Sequence, residues 1–393
     1  MVYSLQSKGK RIIEGTVYLK MQTAAYYFPN YHSDRRNDIF HGEGWSEWEL
    51  VKCARPRFEG HRQPRIPLWG YQDEANPSVM ARKIDAAADH GIDAFVFDWY
   101  WYDGPYLQRA LDEGFLRAPN RGRLKFALMW ANHDWHARHP VSFADSKKAE
   151  TQFFWSTSQE SIGFVWDYLL EHYLTRPEYW RVDEKPYFSI YAVTRFIDRM
   201  GGPEKTAGVL ELLQRKARAA GLPGVHINAI WFDNLDNQPF CPNITQTWHR
   251  EIGFDSYTSY NSNGTTPVWE KTFPTVDFGV AAREYVELAA RALKKLPAPY
   301  YPVVTAGWDT SPRTVQSDMY CNGAYPFLAV MDTDPDLFRK LFMDLKELVK
   351  DLPEPQQIIF FNAWNEWTEG CYLEPDTVVG YKLLEIIKEV RES

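Results

Sequence analysis

The sequence contains no Cys-x-x-Cys pair, no glycine-rich phosphate loop, no basic excess and no long apolar run. Each absence removes a class of function. The four cysteines, Cys53, Cys241, Cys321 and Cys371, are far apart, which argues against a cysteine-built zinc site. A chain of 393 residues needs no disulfide scaffold, and unpatterned thiols suit a reducing compartment. Neither GxxxxGK[ST] nor GxGxxG occurs, so a nucleotide phosphate has no cradle. Lys and Arg number 44 against 52 Asp and Glu, a net charge of -8. A nucleic-acid partner is therefore not expected, because no positive surplus exists to displace counterions. No stretch reaches ~18 apolar residues, so no membrane partner is expected either. Residues 1–20 lack an apolar core and a small-residue cleavage site, which makes the cytoplasm the expected location. Periplasmic or secreted placement would follow if a native signal peptide had been removed. Residues 1–20 read as a short strand pair, an N-terminal extension or a leader remnant, ahead of one catalytic domain over 21–393.

What the chain has in abundance is aromatic surface. Trp 16, Tyr 23 and Phe 23 make 16% of the residues. Leu, Ile and Val can fill a core, so tryptophan beside acidic and amide residues suggests a further use. Flat apolar faces with hydrogen-bonding edges suit sugar rings, which have apolar C–H faces and hydroxyl rims.

Short apolar or aromatic runs recur along the chain at residues 23–30, 93–100, 124–132, 185–193, 224–233, 255–260, 303–310 and 358–367. Helical patterns lie between them. Residues 79–90 end at Gly91 and residues 203–220 at Gly221, both C-cap signals. Residues 277–296 and 335–349 carry helical periodicity, the second opening on Pro335. Eight strand–helix alternations predict an α/β fold, a (β/α)8 barrel of one domain. A doubly wound open sheet is the competitor. The barrel is preferred because several runs turn polar or aromatic at their C-terminal ends, as in Asp98-Trp99-Tyr100, Trp130-Ala131-Asn132, Trp231-Phe232-Asp233, Trp308-Asp309 and Asn362 to Glu366. A barrel gathers those ends on the face where active sites are built. The long segment 31–78, rich in Trp, Arg, Pro and Gly, is expected to form a lid or side wall.

The strongest chemical candidate is Asn365-Glu366-Trp367-Thr368-Glu369-Gly370, directly after the apolar run 358–361. Two carboxyls three apart on one turn project to the same side. Paired carboxyls are the usual equipment of glycoside hydrolysis, one as acid and one as base or nucleophile. A surface Glu pair capping a helix is the competing reading. The position after a strand, flanked by Trp364 and Trp367, favours the chemical one.

This signature resembles glycoside hydrolase family 99, the endo-acting α-mannosidases and mannanases, and the wider family-99-like, or WbsX, group. Further matching stretches run from Tyr26 to His32, Gly44 to Trp48, Gly60 to Arg65, Trp130 to Asn132, and Asn362 to Asp376. The resemblance implies a barrel that cleaves α-linked glycans with retention. It implies that Glu366 takes the proton of the sugar's own 2-hydroxyl, which attacks the anomeric carbon to give a 1,2-anhydro sugar. Glu369 would protonate the leaving oxygen and then activate water. Neither role requires a metal or a cofactor, and the partner would be an oligosaccharide or polysaccharide.

The chain departs from the group where His133-Asp134-Trp135 follow Trp-Ala-Asn in place of an acidic residue, and in the acid- and aromatic-rich Asp98 to Asp103. Asp98 could be an additional acid/base group or a partner for an Arg of the 31–78 segment. Sugar rings are expected to stack on Trp99, Trp101, Trp130, Trp135, Trp308 and Trp364. Tyr27, His32, Trp45, Glu47, His61, Gln63, Asp98, Asn132, His133, Asp134, Tyr191, Trp231, Asn362 and Asn365 complete the expected substrate-binding set. A metal site from His32, His61, His133, Asp98 and Asp134 is the lesser alternative, since no HxH or HExxH pair supports it. A glycosyltransferase or transglycosylase of surface polysaccharide assembly, or an inactive glycan-binding barrel, are the rival functions.

Overall fold

The computed structural model describes residues 10–13, 16–19, 21–136, 139–146, 151–231, 248–262 and 268–393. Lys10–Ile13 and Thr16–Leu19 pair as a small antiparallel hairpin. Eight strand positions then form the barrel: β1 (Gln22–Tyr27), β2 (Ala94–Trp101), β3 (Lys125–Trp130), β4 (Lys185–Ile190), β5 (His226–Ile230), β6 (Ser256–Thr258), β7 and β8 (Ile358–Asn362). Pro302 splits β7 into Tyr300–Tyr301 and Val303–Thr305. Each strand pairs in parallel with the next, β1 through β8. Ile358↔Gln22 through Phe361↔Ala25 join β8 back to β1 and close the ring. The (β/α)8 architecture is the one the alternating pattern predicts. Cys241 and the Phe232-Asp233 end of the fifth run lie outside the described residues.

The helices begin where their sequences offer caps. Asn76 accepts from the Ser78 amide ahead of Pro77–Asp89, Asp277 from Val280 ahead of Phe278–Lys295, and Asp334 from Asp336 and Leu337 ahead of Pro335–Val349. Proline in the first turn costs no hydrogen bond there. Segment 31–78 is no simple flap. It carries short helices at Arg35–His41 and Trp48–Cys53, and buries Trp48, Val51, His61, Gln63 and Glu74.

The aromatic surplus goes chiefly into packing. Tyr26, Tyr187, Tyr301 and Trp180 gather round Phe360, with ring centroids 5.3 to 6.3 Å from it. A second aromatic mass lies outside the strands, where Trp130 meets Trp99, Trp155, Trp166 and Phe196.

The C-terminal helix Lys382–Glu392 locks the barrel floor. Its Arg391 is buried and donates to the Met21 carbonyl at 2.7 Å, the Thr23 hydroxyl at 3.1 Å and the Gly91 carbonyl, and pairs with Asp93 at 2.9 Å. Arg391→Met keeps the apolar stem and removes these bonds. It is expected to lower unfolding free energy by about 2–3 kcal/mol, discounted for the partial exposure of Asp93, as read by urea titration. An unchanged midpoint would show that the helix docks through its apolar face alone.

Candidate active site

Beyond Asn362 the chain makes a tight excursion over the barrel mouth. Asn365–Glu366 pairs antiparallel with Cys371–Tyr372, and the single turn Trp367–Glu369 lies between. Asn365 fixes this loop to the end of β1: its Oδ1 accepts from the Phe28 amide at 2.8 Å and its Nδ2 donates to the Phe28 carbonyl at 2.8 Å. Tyr31 Oη accepts from the Trp367 amide at 2.9 Å. Gly370 ends the turn at φ +65°, and a Cβ there would lie 2.8 Å from the Asp309 backbone nitrogen, so only glycine fits.

This loop delivers Glu366 and Glu369 to one guanidinium. Arg313, buried in the turn after β7, bonds Glu369 and Tyr325 through Nη1. It reaches Glu366 at 3.4 Å through Nη2 and Glu47 at 3.1 Å through Nε. Glu47 also accepts from Thr368 Oγ1 at 3.0 Å and Asn30 Nδ2 at 2.9 Å. The Tyr325 hydroxyl donates to Glu369 at 2.8 Å. Three carboxyls share one positive charge, an imbalance that burial makes costly. Burial first, then the Glu369 charge, push the Glu366 carboxyl well above the ordinary carboxylate range, with Arg313 opposing.

These groups face a cavity of about 500 Å³. Of the sequence-predicted residues, Glu47, Asp98, His133, Asp134, Trp135, Tyr191, Trp308, Glu366 and Glu369 line it together. Burial lowers the proton affinity of His133 below that of a free imidazole. Asp134 is tied to Arg195 and accepts from the Trp155 amide at 2.9 Å.

The other expected contacts lie outside this lining; the polar ends of Tyr27, His61, Gln63, Asn132, Trp364 and Asn365 are occupied by the protein itself, whereas the Trp99 and Trp130 indole nitrogens and the Asn362 amide meet no partner among the described residues. Tyr27 donates to Glu74 at 2.8 Å and His32 lies 3.3 Å from the same carboxylate. His61 Nδ1 accepts from the Arg57 amide at 3.0 Å, so Nε2 carries hydrogen and donates to Asp309 at 2.8 Å. Gln63 donates to the same oxygen at 2.6 Å. Although burial works against it, the contact with His61, helped by Ser311 and Arg65, holds Asp309 below the usual carboxylate range. Asn132 grips the Ala192 backbone and Asn365 that of Phe28. Trp99, Trp101 and Trp130 pack in the outer aromatic mass, Trp364 against Phe95 with its N–H on Glu374, and Trp231 against Tyr300. Trp45 stacks on His41, 4.0 Å away. Asn362 is buried at the end of β8, outside the cavity lining. The expected stacking platforms thus reduce to Trp135 and Trp308. The alternative metal set is scattered, with His32 on Glu74, His61 on Asp309 and His133 in the cavity. Among the described residues no three His, Cys, Asp or Glu side chains are grouped to hold a metal ion.

Sequence reasoning missed Arg313, Tyr260, Tyr100 and Tyr325. A signal for Arg313 existed: three acids proposed for one site require a cation, and Thr310-Ser311-Pro312-Arg313 follows directly on a strand end. Arg313→Met is expected to cost about 3–5 kcal/mol at neutral pH, because it strands buried carboxylates. The carboxyls would then bind protons more tightly in the folded state. Their stability contribution is full at low pH and is lost as pH rises, so the deficit should shrink toward about pH 5. Urea titration across pH checks this, and a deficit independent of pH would contradict it.

Residues 23–387 match the sequence profile of a family described as glycosyltransferase WbsX. A curated relative from Xanthomonas campestris pv. campestris, "Uncharacterized protein WxcX", is 28% identical over 381 residues, covering 93% of this chain and 49% of the relative. The chain thus spans about half the length of the curated relatives it matches. Among solved structures, the GH99 endo-alpha-mannosidase from Bacteroides thetaiotaomicron is similar at TM-score 0.58 with 13% identity, covering 96% of this chain and 100% of that one. A "Glycoside hydrolase-like protein" is similar at TM-score 0.60 with 15% identity, covering 97% of each chain. At such identities the likeness is one of fold. The match over residues 23–387 carries the assignment: the chain belongs to the glycosyltransferase WbsX family.

Proposed function

We propose that this chain is a glycoside hydrolase acting on α-linked residues of a complex polysaccharide. The observation that carries the reading is the pair Glu366 and Glu369, placed in one cavity with unlike surroundings. Glu366 faces a phenol and is destabilised as an anion, while Glu369 is held by Arg313 and Tyr325. Pairs of carboxyls whose environments differ divide acid and base work between them.

Glu366 serves as the base toward the sugar's 2-hydroxyl, since an anion disfavoured by burial takes up a proton readily. The 2-oxygen attacks the anomeric carbon, the glycosidic bond breaks, and Glu369 delivers a proton to the leaving oxygen. Water, deprotonated by Glu369, opens the 1,2-anhydro sugar with retention, and Glu366 returns its proton to the 2-oxygen. Tyr100, Trp135, Tyr191 and Trp308 supply aromatic surface for the sugar rings.

The family's description favours a second reading, transfer of the glycosyl unit to a sugar acceptor. Against a nucleotide-sugar donor stands the charge of the lining. Among the described residues Glu47, Asp98, Asp134, Glu366 and Glu369 face the cavity with Arg313 as the only arginine or lysine. A diphosphate would meet an acidic wall.

The test is release of sugar from α-linked glycans by the purified protein. Glu366→Gln and Glu369→Gln are each expected to lose about 10²–10⁴-fold in kcat. Glu369→Gln should recover on aryl glycosides with good leaving groups, and Glu366→Gln should not. Recovery of Glu366→Gln instead would exchange the two roles. Activity that survives both substitutions would sink the reading, and turnover only with an added sugar acceptor would establish transfer.

A further inference from the structure

The acid/base pair leaves a third carboxyl of the cavity, Asp98, without a task. Asp98 lies on β2 and its side chain is buried. Its Oδ2 is 3.0 Å from the Tyr260 hydroxyl, and the same hydroxyl is 3.1 Å from Glu366 Oε1. Its Oδ1 is buried and meets no hydrogen-bond donor among the described residues.

A phenol carries one hydrogen. With both carboxyls ionised, one of the two contacts would set lone pair against lone pair. Oδ1 would also be a buried anionic oxygen with no hydrogen bond. A neutral carbonyl left unpaired there costs far less than an unpaired anion. Among the described residues no cation bonds Asp98, because Arg313 directs its nitrogens to Glu47, Glu366, Glu369 and Tyr325. The titratable groups coupled to Asp98 among the described residues are Tyr26, Tyr100, Tyr191, Tyr260, Glu366 and Glu369, with Arg313 as the positive charge.

We infer that Asp98 carries a proton in the resting protein and donates it to the Tyr260 oxygen, turning the Tyr260 hydrogen onto Glu366 and holding that group ionised. The order is Asp98 Oδ2–H to Tyr260 O, then Tyr260 O–H to Glu366 Oε1, and the hydrogens and acceptors match one for one. Asp98 forms and breaks no bond with substrate and is a positioning residue. Burial pushes its carboxyl well above the ordinary Asp range, against the Tyr260 hydrogen bond. The inference rests on the glycosidase reading for the meaning of Glu366, but not for the state of Asp98.

Asp98→Asn copies the neutral acid, with an N–H donor in place of O–H. If Asp98 is protonated when folded and ionises near about pH 4 when unfolded, its stabilisation is full below that pH and is lost as pH rises toward the folded-state value. Asn has no such loss. The folding constant of Asp98→Asn relative to the parent should therefore rise about tenfold per pH unit from about pH 4 toward neutrality. A flat or falling ratio would overturn the inference. Infrared difference spectra of protein carrying isotopically labelled aspartate give a readout independent of reversible unfolding. A protonated-carboxyl band at neutral pH should shift with the label and vanish in Asp98→Asn. Loss of a carboxylate band instead would overturn it. Neither readout needs substrate, so a failed glycosidase assay leaves both standing. Where the glycan is in hand, Tyr260→Phe should move the acidic limb of the pH–rate profile to higher pH, by removing the hydrogen bond to the Glu366 anion. An unmoved limb would cut the link between this pair and Glu366.

Discussion

Arg313 is the charge around which the mouth of the barrel is organised. Its guanidinium holds Glu47 from the segment after β1 and Glu366 and Glu369 from the loop after β8. Each contact of opposite charges near 4 Å is worth about 4 kcal/mol at the effective dielectric of a partly solvated site. Removing the ions from water costs several kcal/mol apiece. The arrangement therefore persists as a set, and its surplus of negative charge falls on Glu366, the carboxyl most weakly held. Glu366 bears that cost because it is buried beside the Glu369 charge, with Arg313 opposing.

The frame was legible in the sequence because it repeats. Apolar runs alternating with capped helices gave the barrel, and Pro335, Gly91 and Gly221 marked ends the structure keeps. Glu366 and Glu369 were legible because they are neighbours in the chain. Tyr260 was not, since it meets Asp98 and Glu366 only through the closure of the barrel, and Arg313 left only the indirect signal that clustered acids need a cation. The largest misreading concerned the aromatics. A tryptophan at a strand end faces the cavity or the packing behind it according to an alternation of period two, and composition does not say which. Trp99, Trp101 and Trp130 went to packing outside the strands, against Trp155, Trp166, Tyr168 and Phe196.

A second polar centre explains why several expected sugar contacts are unavailable. Glu74 is fully buried and is met by Tyr27, the Tyr31 amide, His32, Asn365 and Lys83. Burial opposes its charge, yet His32 and Lys83 keep its carboxyl below the usual range. Lys83 also pairs with Glu374 at 2.7 Å, and Glu374 takes both the Trp364 and Trp367 indole hydrogens. Tyr27, His32, Trp364 and Asn365 thus belong to the foundation of the loop that bears the two catalytic candidates. Residue type alone does not separate a foundation from a contact surface, because both need aromatic rings with polar edges.

The grip of Asn365 on Phe28 spans 337 positions of sequence. Bringing such distant points together carries a loop-closure cost that nearer contacts do not offset in advance. The mouth of the barrel is therefore assembled by contacts far apart in the chain, and a ribosome must have delivered β8 and its loop before Asn365 can grip Phe28 and Glu366 and Glu369 can meet Arg313.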